Sequence, residues 1–499
     1  MVPQTTNATP VPSNDSSSSS DPILSLPYAT YKGYHNTTSH IYQFRSVRFA
    51  ASTANANRWR AAQPPADERG LDVQDASGWP KQCPQATAGG VVSKDAYNPL
   101  QGLDDEDCLF LSVWAPDGVV LNAGKVKESG EKEGKKTKEM DLLPVLVWIH
   151  GGGWDHNSVR EFDHTPLLTS TNNSFIGISI QYRLGAFGFL ADPAMAADGG
   201  LNAGITDARA ALRWVQEYVH LLGGDRKRVT IWGQSSGGGT VGQLLAAEAE
   251  ADGMQMGANE KEKGKEGNEV LFQGAMLSSP YMVPMGNCND SFWKLIVGVM
   301  RMVQDQFEDF SRRAGCTNDL ECLRRQDTSL LRTLNHEHYV NYTYSGRPSV
   351  YEPCIEGPGG YIQYNTVERI LSGQVAGHAV IAGSNYADGS TFVTSASLQV
   401  PKNITHPAQV ATQADTLLAS VLMQKWPLTK DQAREAVSLY PLAAFKDNYE
   451  RGGVVFTDAV FACASNWIAD AYGNNGYRYL YAVADAVHAR AFTNLTSGA

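Results

Sequence analysis

Short, nearly uninterrupted apolar runs recur along this chain and are separated by polar or amphipathic segments. Four runs have this character: Pro144–Ile149, Ile176–Tyr182, Arg228–Trp232 and Ala379–Gly383. Such runs are typical of strands that are covered on both faces of a sheet. Asp207–Val219 carries apolar residues at 3–4 spacing, and the glycines at 223 and 224 follow it, which predicts a helix that stops there. Strands that alternate with helices predict an α/β fold with a central, mostly parallel sheet.

Three polar stretches interrupt this pattern. Residues 1–24 are rich in Ser, Thr, Asn and Pro, which predicts a disordered N-terminal segment. Residues 122–141 and 248–268 mix both charge signs with glycine, and they are predicted to be charged surface loops of a domain that spans residues 25–499. A partner-binding tail is the alternative interpretation of the two charged stretches.

Composition narrows the class of protein. The chain has 499 residues, of which 42% are apolar, so it can bury a large core. Its net charge of −11 argues against a nucleic-acid partner, because no basic field attracts phosphates. No uninterrupted apolar run reaches the roughly 18 residues that suggest a membrane span. The seven cysteines form no C-x-x-C pair, so no zinc or other metal site is predicted.

The glycosylation sequons point to secretion. Eight N-x-S/T sequons are present, starting at Asn7, Asn14, Asn36, Asn172, Asn289, Asn341, Asn403 and Asn494. About three or four are expected from composition, so the excess predicts a secreted glycoprotein. Residues 1–10 have neither the basic nor the apolar region of a signal peptide, so either that peptide is missing from this sequence or the protein is intracellular.

One pentapeptide, G-Q-S-S-G at 233–237, carries candidate nucleophilic chemistry. A run of glycines and serines can match the G-x-S-x-G pattern by chance, so its context decides. It lies between a predicted strand and a predicted helix, the setting of a nucleophile elbow, which favours Ser235 as nucleophile over a turn serine. The backbone N–H of Ser236 then lies near a developing oxyanion.

The segment His150–Trp154 reads H-G-G-G-W and directly follows the first predicted strand. Consecutive glycines can present backbone N–H groups to an oxyanion. A plain turn and a phosphate-binding loop are the alternatives. No G-K-[ST] follows the glycines, which excludes a Walker loop.

Several segments, in chain order, resemble the signature motifs of the type-B carboxylesterases, the α/β-hydrolases that include cholinesterases and fungal extracellular esterases and lipases. These segments are Glu106–Val113 (EDCLFLSV), His150–Trp154 (HGGGW), Gln181–Phe189 (QYRLGAFGF), Asn202–Asp207, Ala211–Val215 and Val229–Gly239. The resemblance spans about residues 27 to 499 and is strongest to the fungal esterases. It implies an α/β-hydrolase fold, a small-molecule ester as substrate and no cofactor. It leaves the oligomeric state open.

The resemblance also implies roles for individual residues. Ser235 takes the place of the nucleophile, and Gly152, Gly153 and Ser236 take the places of the oxyanion-hole donors. In G-S-N-Y-A-D-G-S-T-F at 383–392, Asp388 takes the place of the catalytic acid, where the family usually has Glu. An ordinary Asp-Gly turn is the alternative there.

The family pattern bears on the cysteines as well. Cys83 and Cys108 resemble its N-terminal disulfide pair, and Cys316 and Cys322 look like a second, short disulfide loop. Cys288, Cys354 and Cys463 remain, and the sequence does not select a pair among them. An odd count leaves at least one thiol outside intramolecular pairing.

The expected catalytic histidine is missing from its usual place. Only His406 and His488 follow Asp388, and neither has the flanking residues of the family motif. Three interpretations stay open: a sequence truncated near its C-terminus, a shifted loop that brings in His488, and a member without a base.

The predicted function is therefore a serine carboxylic-ester hydrolase that forms an acyl-enzyme on Ser235. One alternative is a catalytically impaired or inactive member with a binding or adhesion role. Another is a lipase that acts on long-chain acyl esters.

Overall fold

The computed structural model describes residues 21–87, 104–122, 142–250, 270–282, 285–288, 304–344, 351–426 and 428–483. Most of the two predicted charged loops and residues 1–20 lie outside these ranges.

The described strands are β1 (Ile23–Ser25), β2 (Thr30–Lys32), β3 (Tyr34–Asn36), β4 (Ile41–Arg48), β5 (Gln74–Asp75), β6 (Phe110–Pro116), β7 (Leu143–Ile149), β8 (Ile176–Ile180), β9 (Gly224–Gln234), β10 (Gly274–Ser278), β11 (Ala379–Asn385) and β12 (Gly476–Tyr481). The described α-helices are α1 (Thr165–Ser170), α2 (Gly185–Phe189), α3 (Pro193–Ala197), α4 (Ala203–Tyr218), α5 (Ser236–Ala247), α6 (Gln304–Arg313), α7 (Leu320–Arg324), α8 (Thr328–Tyr344), α9 (Thr366–Leu371), α10 (Ser395–Leu398), α11 (Pro407–Lys425), α12 (Lys430–Ser438), α13 (Asn448–Thr457) and α14 (Cys463–Ala471). A π-helical turn, Asp458–Ala462, joins α13 to α14.

A large twisted sheet organises the molecule. Among the described residues its strand order is β12-β11-β10-β9-β7-β8-β6-β4-β3. The strands from β12 to β8 are parallel, and β6, β4 and β3 add antiparallel strands at one side. This confirms the predicted α/β fold with a mostly parallel sheet. The carboxyl ends of β7, β9, β10 and β11 meet at one edge, where ligands bind in open α/β sheets.

Some predicted boundaries need correction. The disordered segment does not extend to residue 24, because β1 begins at Ile23 and pairs with β2. The Asn122 side chain fixes β1 by accepting from the Ser25 N–H (2.8 Å) and donating to the Ile23 carbonyl (2.9 Å). Nor is Glu248 part of a solvated loop: it is 4% exposed and pairs with Arg209 at 2.6 Å. The first residues of each predicted loop therefore belong to the packed domain.

Two family-like motifs supply buried ion pairs rather than chemistry. Both Arg183 guanidinium contacts to the Asp207 carboxylate measure 2.7 Å, and neither side chain is more than 2% exposed. Two guanidinium nitrogens of Arg58 donate to the two Glu106 carboxylate oxygens at 2.7 Å, and both side chains are 1% exposed. The predicted helix Asp207–Val219 starts earlier, at Ala203, so that Asp207 lies within the helix and faces the core. Breaking such a buried pair is strongly destabilising.

Three disulfides lie outside the large sheet. The structure joins Cys83 to Cys108, the pair that the resemblance implies, and Cys316 to Cys322, the predicted short loop. It also joins Cys288 to Cys354, the choice that the sequence left open. Cys463 at the start of α14 carries a free thiol.

The continuous helix Asn448–Ala471 is long and apolar, with a mean hydropathy of 1.2. It lies inside the protein, with 61% of its most apolar window buried, so we interpret it as a core helix. The Thr457 Oγ1 on this helix accepts the Gly389 N–H at 2.8 Å, which ties the helix to the loop after β11.

Candidate active site

Ser235 lies in the sharp turn between β9 and α5. Its backbone adopts φ 55° and ψ −125°, a conformation that costs a non-glycine residue free energy. Three hydrogen bonds hold this turn. The Ser235 N–H donates to the Ser278 carbonyl (3.0 Å), and the Ser235 carbonyl accepts from the N–H groups of Gly239 and Tyr281 (both 2.9 Å). The strained nucleophile elbow is thus fixed by β10 and by the first turn of α5.

The two glycines of the pentapeptide are required because backbone carbonyl groups lie too close to them to admit a Cβ. A Cβ on Gly233 would lie 2.3 Å from the Gly237 carbonyl oxygen. A Cβ on Gly237 would lie 2.1 Å from the Ile149 oxygen and 2.6 Å from the His150 oxygen. Both distances are far below van der Waals contact. The G-x-S-x-G pattern therefore encodes the packing of the elbow against the end of β7.

The loop His150–Trp154 lies against the elbow. A Cβ on Gly151 would come within 3.1 Å of the Ser235 Cβ. Gly152 and Gly153 have φ values of 105° and 65°, which favour glycine. The Trp154 N–H donates to the Ser236 Oγ (3.2 Å), which links this loop to the start of α5. The structure thus brings Gly152, Gly153, Ser235 and Ser236 together at one point of the sheet edge.

His150 supports this loop from inside the core. It is 1% exposed, its ring stacks on Tyr182 at 4.4 Å, and its Nδ1 lies 2.8 Å from the Gly151 carbonyl oxygen. The Tyr182 hydroxyl in turn donates to the His150 carbonyl (2.8 Å). Burial lowers the pKa of His150 to about 4, so the ring is neutral near pH 7. Sequence reasoning missed the clamping role of Tyr182, although this tyrosine lies within a quoted motif.

Asp388 follows β11 in a 3₁₀ turn, and its side chain is fully buried. Its Oδ2 accepts the backbone N–H of Asn385 at 2.7 Å. The neighbouring Gly389 is required by packing, because a Cβ there would lie 2.2 Å from the Gly453 carbonyl of α13. A glycine is therefore required after Asp388 because α13 packs closely against this turn. The Asp388 carboxyl group is at the same sheet edge as Ser235.

One strand, β10, separates the strands that carry Ser235 and Asp388. Neighbouring strands lie about 4.8 Å apart, so two spacings amount to roughly 10 Å. An imidazole with a hydrogen bond of about 3 Å at each end spans a gap of this order. Above β10, the Ser278 Oγ accepts from Trp232 Nε1 (3.0 Å) and from the Tyr479 hydroxyl (2.9 Å). Tyr479 pairs with Gly383 of β11, the strand that leads to Asp388, and burial raises the pKa of its hydroxyl.

Of the two histidines that follow Asp388 in the sequence, the structure describes only His406. His406 is exposed at the start of α11, where its carbonyl accepts from the N–H groups of Gln409 and Val410. This position is that of a surface helix cap. His488 lies outside the described residues. At the end of β12, the Tyr481 carbonyl accepts the Tyr386 N–H (3.0 Å), which ties this strand to the loop after β11.

Within the described ranges, no group of three or more His, Cys, Asp or Glu side chains has the arrangement of a metal site. The groups gathered at the sheet edge are instead a strained serine, a glycine loop and a buried carboxyl, which together suit acyl transfer.

A model of the carboxylesterase family matches residues 20–494. The chain belongs to the carboxylesterase family. Such membership makes it a carboxylic-ester hydrolase, as the resemblance implied. A secreted lipase of Arthroderma benhamiae is 28% identical over 455 residues, which cover 89% of this chain and 75% of the lipase. Carboxylesterase patB of Penicillium expansum is 25% identical over 509 residues, which cover 94% of this chain and 81% of that protein.

Solved structures agree on the fold of this carboxylesterase. The crystal structure of Aspergillus niger EstA matches with a TM-score of 0.69 at 24% identity, covering 93% of this chain and 78% of EstA. A pNB esterase matches with a TM-score of 0.67 at 22% identity, covering 96% of this chain and 85% of that protein. The predicted α/β-hydrolase fold is therefore confirmed.

Proposed function

We propose that this carboxylesterase hydrolyses esters through a covalent acyl-enzyme on Ser235. The observation that supports the proposal is the strained elbow at Ser235, whose Cβ would lie 3.1 Å from a Cβ on Gly151 of the glycine loop. Ser235 Oγ attacks the ester carbonyl carbon and loses its proton to a histidine. The N–H groups of Gly152, Gly153 and Ser236 hold the oxyanion that develops.

Asp388 then orients that histidine and stabilises its protonated form. The histidine returns the proton to the leaving alcohol, so the ester C–O bond breaks and the acyl group stays on Ser235. Water attacks the acyl-enzyme by the same route in reverse, which releases the acid and restores the hydroxyl. His488 lies outside the described residues, and the variant His488→Ala tests whether it supplies this histidine.

Activity assays on matched variants test this assignment. We expect Ser235→Ala to lower kcat/KM for p-nitrophenyl acetate by at least about a thousandfold, and Asp388→Asn by about a thousandfold or more. Ser236→Ala keeps the backbone N–H that acts on the oxyanion, so it should retain activity within about tenfold. Full activity of Ser235→Ala would refute the proposal.

A second candidate activity is lipase action on long-chain acyl esters, favoured by the relative named a secreted lipase. Comparing kcat/KM for p-nitrophenyl acetate and p-nitrophenyl palmitate separates the two. A preference for the palmitate would make the protein a lipase.

We further propose that the protein acts outside the cell. The three disulfides suit an oxidising compartment, and several relatives are named secreted lipases. Detection of the protein in culture medium of its source cells tests this location.

A further inference from the structure

One sequon asparagine, Asn36, lies at the edge of the large sheet, far from the candidate active site in the strand order. It is the last residue of β3, and Thr37 and Thr38 after it complete an N-T-T sequon. Within the described part of the chain, β3 is the last strand on this side of the large sheet. An open strand edge can pair with other chains, so a bulky group attached here would protect the protein from aggregation.

The turn after β3 orients the side-chain amide of Asn36. Its Oδ1 accepts the backbone N–H groups of Thr38 and Ser39, both at 3.2 Å. The amide nitrogen Nδ2, the atom to which an N-linked sugar is attached, therefore points away from the turn. No hydrogen bond among the described residues uses Nδ2 as donor, and Asn36 is partly exposed. A sugar can thus be attached to Nδ2 without breaking a hydrogen bond.

Tyr34 lies on the same face of β3 as Asn36. Residues 34, 35 and 36 pair with residues 43, 42 and 41 of β4 in regular antiparallel register, so no bulge disturbs the alternation of side chains. Two residues along a strand amount to roughly 7 Å. This spacing places a sugar on Asn36 within reach of the Tyr34 ring.

The Tyr34 ring is supported from one side and open to solvent. The Arg45 guanidinium carbon lies over the ring, 5.7 Å from its centroid. Arg45 is held in turn by Gln43, whose Oε1 accepts from Nε (3.1 Å) and Nη2 (2.9 Å), and it lies 5.0 Å from the centroid of the Trp79 ring. Tyr34 nevertheless remains 44% exposed. It therefore offers a fixed aromatic surface beside the sequon.

We propose that Asn36 carries an N-linked glycan whose first N-acetylglucosamine packs on the exposed face of Tyr34. The C–H groups on one face of the sugar ring are apolar and weakly positive, and they suit the negative face of an aromatic ring. The contact stabilises the hairpin of β3 and β4 (residues 34–48), and the glycan covers the open strand edge.

The donor for this modification is an oligosaccharide joined to a lipid diphosphate. Asn36 Nδ2 bonds to the anomeric carbon of the sugar, the bond from that carbon to the diphosphate oxygen breaks, and the amide loses one proton. The inference requires passage through the secretory route proposed above, but it makes no use of Ser235 or its chemistry.

The test begins with the full chain secreted from a eukaryotic host that makes high-mannose glycans. Peptide mass spectrometry locates the glycans, and an endoglycosidase trims each of them to a single N-acetylglucosamine. Hydrogen exchange of the backbone amides then reports opening of the hairpin. We expect its amides to exchange about fivefold more slowly in the trimmed protein than in Thr38→Ala, which lacks the sequon, because one aromatic contact has this size.

Variants of Tyr34 separate the ring contact from a general effect of the sugar. Each variant is compared with and without Thr38→Ala, so the effect of the Tyr34 change on the hairpin itself cancels. Tyr34→Phe keeps the ring and should keep the fivefold ratio. Tyr34→Thr keeps a residue that favours strands but removes the ring, and it should bring the ratio near one.

The sequon at Asn403 provides a matched control. Asn403 is exposed, and Pro401 stands two residues before it, where Asn36 has Tyr34. Thr405→Ala removes this sequon and should leave exchange in the hairpin unchanged.

Three outcomes would overturn the proposal: an unmodified Asn36 in the secreted protein, a ratio near one in the unsubstituted chain, and a fivefold ratio that persists in Tyr34→Thr. None of these measurements depends on ester hydrolysis. An inactive protein would therefore refute the proposed function and leave this test intact.

Discussion

The packing of the elbow against β7 gives a sharp prediction for two glycines in α5. An alanine Cβ at Gly237 would lie 2.1 Å from the Ile149 carbonyl oxygen, about 1 Å inside normal contact. A Cβ at Gly242 in the same helix would meet only the flexible Met282 side chain, whose Sδ would lie 3.1 Å away. The same substitution therefore meets rigid backbone at one site and a yielding side chain at the other.

For Gly237→Ala we expect the free energy of unfolding to fall by about 3 kcal/mol, the upper range for forced overpacking. The elbow must also shift by roughly 1 Å, which can lower kcat/KM by about a hundredfold. For Gly242→Ala we expect a change within about 1 kcal/mol, because the gain in helix propensity offsets the contact with Met282. Urea unfolding and p-nitrophenyl acetate hydrolysis measure both quantities.

A Gly237→Ala variant that is as stable and as active as Gly242→Ala would contradict this prediction. Such a result would mean that the elbow relaxes freely and that its glycines are not required by the approach of β7.

Three further predictions follow from other parts of the fold. Asp207→Asn should lower the free energy of unfolding by about 3–5 kcal/mol because it leaves Arg183 buried without its charge partner. Asp431→Asn removes an exposed ion pair with Arg434 and should lower it by at most about 1 kcal/mol. Equal losses in urea titrations would contradict this prediction. Burial lowers the pKa of His164 to about 3, below its unfolded value near 6.5, so the unfolded state binds more protons and stability should fall as the pH drops from 6.5 to 4. His164→Asn should flatten this loss, and an unchanged slope of melting temperature against pH would exclude the explanation. Asn172 and Asn403 are exposed sequon residues, so protein from a secreting eukaryotic host should lose mass at both sites with an N-glycosidase, and unmodified peptides would contradict the predicted glycosylation.

The sequence predicted the sheet well because its central strands are buried on both faces and so have unbroken apolar runs. The run Ile176–Tyr182 became β8, which is buried along its whole length. The start of α4 was misplaced because Asn202, in a left-handed conformation, begins the helix without a side-chain cap, and the Asp207 side chain serves the ion pair with Arg183. Periodicity cannot show which polar residue of a helix points inward.

The candidate site also has parts that the sequence predicts and parts that it does not. Local geometry made the elbow predictable, because the glycines at 233 and 237 and the glycine loop carry their constraint in adjacent residues. The clamp between Tyr182 and His150 was missed because these residues are 32 positions apart in the chain and meet only in the folded protein.

Labelling the protein with a fluorophosphonate and locating the adduct by peptide mass spectrometry reports covalent chemistry on Ser235 without any substrate. We expect one phosphonylated peptide, modified at Ser235, in the unsubstituted protein and in Ser236→Ala, and none in Ser235→Ala. An unmodified Ser235 after complete reaction, or an adduct that persists in Ser235→Ala, would contradict it.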